Sequence, residues 1–122
     1  MREMTIEEKR EYLQSYPLQQ ARIRRYDILT LRNRDKKKSY KKRLEEAKLI
    51  RDCIEKDIES VVNKKEAEIL AQKYLCGTSL EETAALLNYS RRQVERLHNR
   101  ALENLHPTME DKNGKGNFTL RS

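Results

Sequence analysis

The chain has 122 residues, of which 39% are charged and 36% hydrophobic, with no tryptophan and one phenylalanine. Such a composition suits one small domain with an extension and argues against a large core. No apolar run approaches the roughly 18 residues that a membrane span needs, so we expect a cytoplasmic protein with no membrane partner. Glycine and proline are scarce and helix-favouring residues are abundant, which predicts an all-α fold.

The first two predicted helices are marked by local start signals. A capping-box pattern at Thr5 and Glu8 begins a helix over residues 6–15. Pro17 ends this helix or begins another, since proline suits a first helical position, and a second helix is predicted from residue 18 to about residue 34. We expect the buried face of this second helix to consist of Leu18, Ala21, Ile28 and Leu31.

A strongly basic segment, residues 32–43, follows the second helix. It holds eight basic residues and one acid, Asp35, so its charge equals the +7 of the whole chain. One interpretation is a solvated loop between helices, since basic runs are weak signals. The other is a segment that contacts nucleic-acid phosphates. Composition does not choose between the two.

The clearest helical periodicity spans residues 40–62. Apolar residues recur there at three- and four-residue steps, and charged residues fill the opposite face. The stripe consists of Leu44, Ala47, Ile50, Ile54, Ile58 and Val61. It could pack on the preceding helix as a helical hairpin, or on a second copy of the chain as a homodimer. The single sequence leaves both open.

Residues 63–105 have the pattern of a helix-turn-helix domain. An apolar stripe on a first helix ends at Gly77, a natural position for a left-handed C-cap. Ser79 and Ser90 each begin a capping-box pattern, and between them lies a short helix followed by a tight turn at Asn88. A longer helix after Ser90 would be the recognition helix, whose N-terminal residues meet base edges in the major groove.

The polar face of the last helix carries the predicted DNA-binding residues. Four are arginines, which can bind guanine O6 and N7 bidentately. The alternative is an ordinary helical bundle whose arginines pair on the surface, for example Arg91 with Glu95 and Arg100 with Glu103. The predicted DNA-binding residues are Ser90, Arg91, Arg92, Gln93, Glu95, Arg96, Asn99 and Arg100.

Residues 70–105 resemble region 4 of bacterial sigma factors, the domain that reads a promoter element. The matching motifs are Tyr74-Leu75-Cys76-Gly77, Ser79-Leu80-Glu81-Glu82-Thr83-Ala84, Ser90-Arg91 and Arg100-Ala101-Leu102. Residues 89–94 and 96–98 also resemble a group of small phage-encoded transcriptional regulators of Gram-positive bacteria. The resemblance implies an accessory regulator that binds promoter DNA and could contact RNA polymerase. By position, it places Arg91, Arg92, Glu95 and Arg96 on the DNA-reading face.

These observations divide the chain into three parts. Residues 1–62 form a charged helical segment that could oligomerise, residues 63–105 form the helix-turn-helix, and residues 106–122, with no periodicity, form a flexible tail. Two other functions stay open. One is DNA packaging, as in small terminase subunits, and the other is docking on RNA polymerase without DNA contact.

An enzyme is not expected, and neither is a cofactor or a metal. His98 and His106 lack the spacing of metal ligands on one helix, and His98 is predicted on the helix surface. No glycine-rich phosphate loop occurs. Cys53 and Cys76 lie outside any metal-binding spacing and are predicted to be reduced thiols.

Overall fold

A computed structural model describes residues 3–111 and 116–121. The predicted all-α class is confirmed, with one small hairpin added. In chain order the elements are α1 (Ile6–Gln14), α2 (Tyr16–Arg32), a 3₁₀ turn (Arg34–Lys36), α3 (Lys37–Glu59), α4 (Lys64–Leu70), a π turn (Ala71–Leu75), α5 (Leu80–Leu87), α6 (Arg91–Asn104), β1 (Met109–Asp111) and β2 (Phe118–Leu120). Within the described residues, no helix combines the length and the apolar character needed to cross a membrane.

Side-chain caps start the helices where the sequence predicts them. Thr5 and Ser90 each begin a helix with the full reciprocal capping box. At Ser79 only half of the predicted box forms. The Ser79 hydroxyl accepts from the Glu82 amide at 3.1 Å, but the Glu82 carboxylate accepts from that hydroxyl instead of from the Ser79 amide. The helix still begins there because one capped amide is enough to fix the first turn.

Helices α2 and α3 pack against each other as a helical hairpin, one of the two arrangements that the sequence leaves open. Every member of the apolar stripe of α3 is buried, along with Val61 just beyond the helix end. The partners of the stripe include side chains of α1, α2 and the C-terminal elements. The stripe is therefore covered within the chain.

The predicted buried face of α2 is wrong. Leu18 is 57% and Leu31 82% exposed, and Ala21 and Ile28 are exposed as well. The face that packs inward consists of Tyr16, Gln19, Ile23 and Tyr26. Tyrosine buries its ring while its hydroxyl finds a polar partner, as the Tyr16 hydroxyl does by donating to Glu55 at 2.7 Å. A prediction that considers aliphatic residues alone therefore places the buried face on the wrong side of α2.

One hydrophobic core joins the N-terminal helices to the helix-turn-helix. It includes Leu13 of α1, Ile54 and Ile58 of α3, Leu70 of α4 and Leu102 of α6. All five side chains are at most 1% exposed. The boundary predicted between residues 62 and 63 thus lies beside a core to which both sides contribute.

The prediction of a flexible tail is wrong for residues 106–111 and 116–121, the part of the tail that the structure describes. Strands β1 and β2 pair antiparallel, with Met109 opposite Leu120. Met109 and Phe118 are buried in the shared core, and the Phe118 ring meets the Tyr12 ring edge-on at 5.3 Å. Three-residue strands are too short to show an alternating pattern, and the Phe118 ring contacts a residue more than a hundred positions away in sequence.

Candidate nucleic-acid interface

Helices α5 and α6 meet at a tight turn with helix-turn-helix geometry. Asn88 takes a left-handed conformation with φ of 56°, and the Tyr89 amide donates to the Ala84 carbonyl at 2.9 Å. Buried Ala84 and Val94 pack with Ile69 of α4 in a small separate cluster. These contacts fix the angle at which α6 leaves the turn.

The N-terminal half of α6 presents a polar face to solvent. All eight predicted DNA-binding residues are exposed. Six of them border one open hollow of about 470 Å³: Ser90, Arg92, Gln93, Glu95, Arg96 and Asn99. At 3.6 residues per turn, Arg92 and Arg96 lie opposite the buried side of the helix. The hollow is therefore built by side chains that no other element covers.

Two predicted residues stand apart from this hollow. Arg91 forms an ion pair with Glu95 at 3.1 Å, with side-chain exposures of 68% and 51%. So exposed a pair contributes little, and either partner can turn toward a ligand at small cost. Arg100 is exposed but does not line the hollow, and the alternative pair with Glu103 does not form in the described residues.

The guanidinium groups of Arg92, Arg96 and Arg100 have no ion-pair partner among residues 3–111 and 116–121. An ordinary surface helix would neutralise such a row with acids at four-residue spacing. Here only Glu95 lies among them, and it is already paired with Arg91. The face therefore presents uncompensated positive charge in the planar form that suits base edges and phosphates.

The C-terminal end of α6 is held by a side chain of α1. The Lys9 ammonium of α1 donates to the carbonyls of Leu102 and Glu103 at 3.0 and 3.2 Å, where a cation also complements the helix dipole. Burial lowers the pKa of Lys9, while the acids Glu3 and Glu103 act in the opposite direction. α6 is thus fixed at one end and exposed at the other.

His98 is buried, so its predicted surface position is wrong. Its side chain lies against Tyr74, with Nε2 2.8 Å from the Tyr74 hydroxyl and the two rings stacked at 5.8 Å. Burial, with Lys73 and Arg10 acting in the same direction, lowers the pKa of His98 to about 4. The ring is therefore neutral at pH 7. The helical spacing could have predicted this burial, since His98 lies four residues from both Val94 and Leu102 on the apolar face of α6.

This burial predicts a pH dependence of stability. Unfolded His98 titrates near its ordinary pKa of 6.5, and folded His98 near 4. The stability that comes from keeping His98 neutral is fully present above pH 6.5 and is lost as the pH falls toward 4, by about 3 kcal/mol in total. The measurement is the free energy of unfolding of wild type and of His98→Gln across this range. The difference between them should shrink as the pH falls, and a constant difference would contradict the assignment.

The cysteines and acidic residues form no further site within the described ranges. Cys53 and Cys76 are both free thiols, one half-buried and one exposed. No group of three or more metal-ligating side chains comes together in that part of the chain. Two of the three buried acids have side-chain partners, since Asp57 accepts from Tyr12 and Glu66 accepts from Asn104. The third, Asp111, accepts from the Gly116 amide through Oδ2, and its Oδ1 has no partner among the described residues. The face of α6 is therefore the candidate site.

Comparison with known proteins agrees with this geometry. Residues 60–106 match the family model for sigma-70 region 4. The match covers α4, α5 and α6 and ends before the hairpin, so it spans well under half of the chain. No curated protein and no solved structure is significantly similar to the chain. The match and the geometry together establish that the C-terminal helices of this chain form a sigma-70 region 4-like helix-turn-helix.

Proposed function

We propose that the protein is a sequence-specific regulator of transcription that places α6 in the major groove of double-stranded DNA. The observation that carries the proposal is the exposed face of α6, where Arg92, Arg96 and Arg100 have no ion-pair partner in the described part of the chain. A helix fits the major groove, and the residues near its N-terminus are the ones that reach base edges. Arg92 and Arg96 occupy that part of α6.

The residue types around the hollow suit direct reading of bases. The guanidinium groups of Arg92 and Arg96 can each donate two hydrogen bonds to a guanine. The amide of Asn99 can pair bidentately with adenine, and the carboxylate of Glu95 can accept from cytosine N4. The backbone amides that follow Ser90 suit a phosphate oxygen. Four of the eight predicted side chains thus have a matching partner on a base edge.

The regulatory role rests on the family. Sigma-70 region 4 modules bind promoter DNA and RNA polymerase, so we place the protein near promoters with RNA polymerase as a second partner. The resemblance of residues 89–98 to small phage regulators supports a phage or prophage origin. Affinity would come from phosphate contacts and base choice from the arginines, so binding would weaken with added salt.

The proposal is tested by selecting duplexes from a random-sequence pool with the full chain. We expect one motif to be enriched, with an affinity that falls steeply as salt is raised. The double variant Arg92→Ala/Arg96→Ala serves as a folded comparison and should enrich no motif. Salt-dependent binding without any enriched motif would contradict base reading. Absence of binding at every salt concentration would contradict the proposal as a whole and favour docking on RNA polymerase alone.

A further inference from the structure

The segment of residues 32–43 forms the tip of the α2–α3 hairpin. It contains the last residue of α2, the 3₁₀ turn and the start of α3. Every residue in it is exposed except Tyr40, which is half-buried. We call it the basic tip (residues 32–43). It lies outside all three hydrophobic clusters apart from that tyrosine.

The charge of the basic tip is not neutralised within the described parts of the chain. None of its eight basic side chains forms an ion pair there. Arg43 lies beside the Tyr26 hydroxyl, a neutral group that leaves the arginine charge uncompensated. Like charges held this close repel one another and lower the stability of the fold. An anionic partner would remove that repulsion.

The basic tip adjoins a packed part of the α2–α3 hairpin. The Tyr40 ring stacks on Tyr26 at 6.0 Å, and the Arg25 guanidinium lies 4.6 Å from the centre of the Tyr26 ring. Below them Leu44 and Ala47 pack with Ile23 in a buried cluster. The basic side chains therefore project from an ordered helical end.

The chemistry of the tip differs from that of α6. Five of its eight basic residues are lysines, whereas the α6 face carries arginines and no lysine. Lysine is a point charge that binds phosphate without the planar fork needed to choose a base. Phosphate contacts fix the position of a protein on a duplex and carry no sequence information. The two surfaces therefore suit two different parts of DNA.

We propose that the basic tip binds the phosphate backbone of the same duplex, outside the base pairs that α6 contacts. The proposal rests on the proposed function for the presence of that duplex. Lys38 lies sixteen residues before Ile54, which is in the core beside α6, so α3 carries the tip roughly 24 Å from that core. For comparison, one turn of B-DNA is roughly 34 Å long.

The test compares two double variants of α3 that lose equal charge. Lys37→Ala/Lys38→Ala removes two tip cations, and Lys48→Ala/Lys56→Ala removes two cations from the rest of the helix. Alanine keeps the helix propensity high, and thermal melts check that both variants fold. Binding is measured from 0.05 to 0.3 M salt. The two duplexes are the selected motif alone and the motif with roughly 20 flanking base pairs on each side.

On the long duplex at 0.1 M salt, the tip variant should bind about tenfold more weakly than wild type or worse. Its salt slope should be smaller by about 1 to 2, since each lost phosphate contact removes about 0.9. On the short duplex the tip variant should match wild type, and the control variant should stay within twofold on both. The enriched motif should be unchanged.

Three results would overturn the proposal. They are equal losses in the tip and control variants, equal losses on short and long duplexes, and unchanged binding of the tip variant. The proposed function can fail separately. If wild type prefers no sequence but the tip variant still loses salt-dependent affinity on long duplexes, base reading by α6 is wrong and the phosphate contact of the tip stands.

Discussion

Replacing Leu102 with alanine is expected to lower the free energy of unfolding by about 3 to 4 kcal/mol. Leu102 is completely buried on α6, in the core that also contains Leu13 of α1 and Ile54 of α3. Truncation removes apolar contacts and leaves a cavity that helices on both sides of residue 62 would line. Because the two parts share this core, we expect both to lose stability together in one transition.

The measurement is amide hydrogen exchange of wild type and Leu102→Ala, with chemical denaturation to give the free energies. Exchange should accelerate in α1 and α3 as well as in α6. Leu86→Ala is the matched control. Leu86 is 66% exposed on α5, so its removal should change stability by less than about 0.5 kcal/mol. Faster exchange confined to α4, α5 and α6 would mean that the helix-turn-helix unfolds independently, which would contradict the shared core.

The second large effect concerns DNA affinity. Arg92→Ala and Arg96→Ala should each weaken binding to the selected motif by about 1 to 3 kcal/mol, or about 5- to 150-fold. Both side chains are exposed and have no ion-pair partner in the described residues, so the melting temperature should not change. Discrimination between the motif and unrelated duplex should fall, because a base contact is lost together with a charge.

Lys56→Ala is the control for this charge effect. Lys56 is exposed near the end of α3 and does not line the hollow on α6. Its removal lowers the net charge by the same amount and should change affinity for the motif by less than threefold. If Arg96→Ala and Lys56→Ala lose affinity equally, the arginines act only through net charge and α6 does not choose bases.

Local signals account for the parts of this fold that the sequence predicts. The capping boxes at Thr5 and Ser90 involve residues three positions apart, so both are visible in the sequence. The stripe of α3 and the polar face of α6 follow from helical periodicity. The exposed positions of Arg92 and Arg96 were predictable for the same reason, although their role in DNA binding stays a prediction.

Long-range contacts account for what was missed. Asp57 accepts hydrogen bonds from the Tyr12 hydroxyl at 2.7 Å and from the Thr108 amide at 2.9 Å, which ties α1, α3 and the β-hairpin together. These partners are 45 and 51 positions away in sequence. No local pattern marks such a contact. The same applies to Phe118, whose burial depends on Tyr12.

Polar residues in the core account for the other errors. Tyr16 and Tyr26 cover the inner face of α2, where an aliphatic criterion favours Leu18 and Leu31. His98 is buried because Tyr74 satisfies its ring nitrogen. Each of these side chains combines an apolar body with a polar atom that needs a specific partner. That partner is known only once the helices are packed.

Guanine methylation interference on the selected duplex tests the central claim most directly. The claim is that the exposed arginines of α6 read bases in the major groove, where guanine presents N7. Methylation of N7 at one or two motif guanines should abolish binding by wild type. For the Arg96→Ala variant, the interference should disappear at the guanine that Arg96 contacts and should remain at any guanine contacted by Arg92. Interference that is absent from the motif, or unchanged in both Arg92→Ala and Arg96→Ala, would contradict the claim.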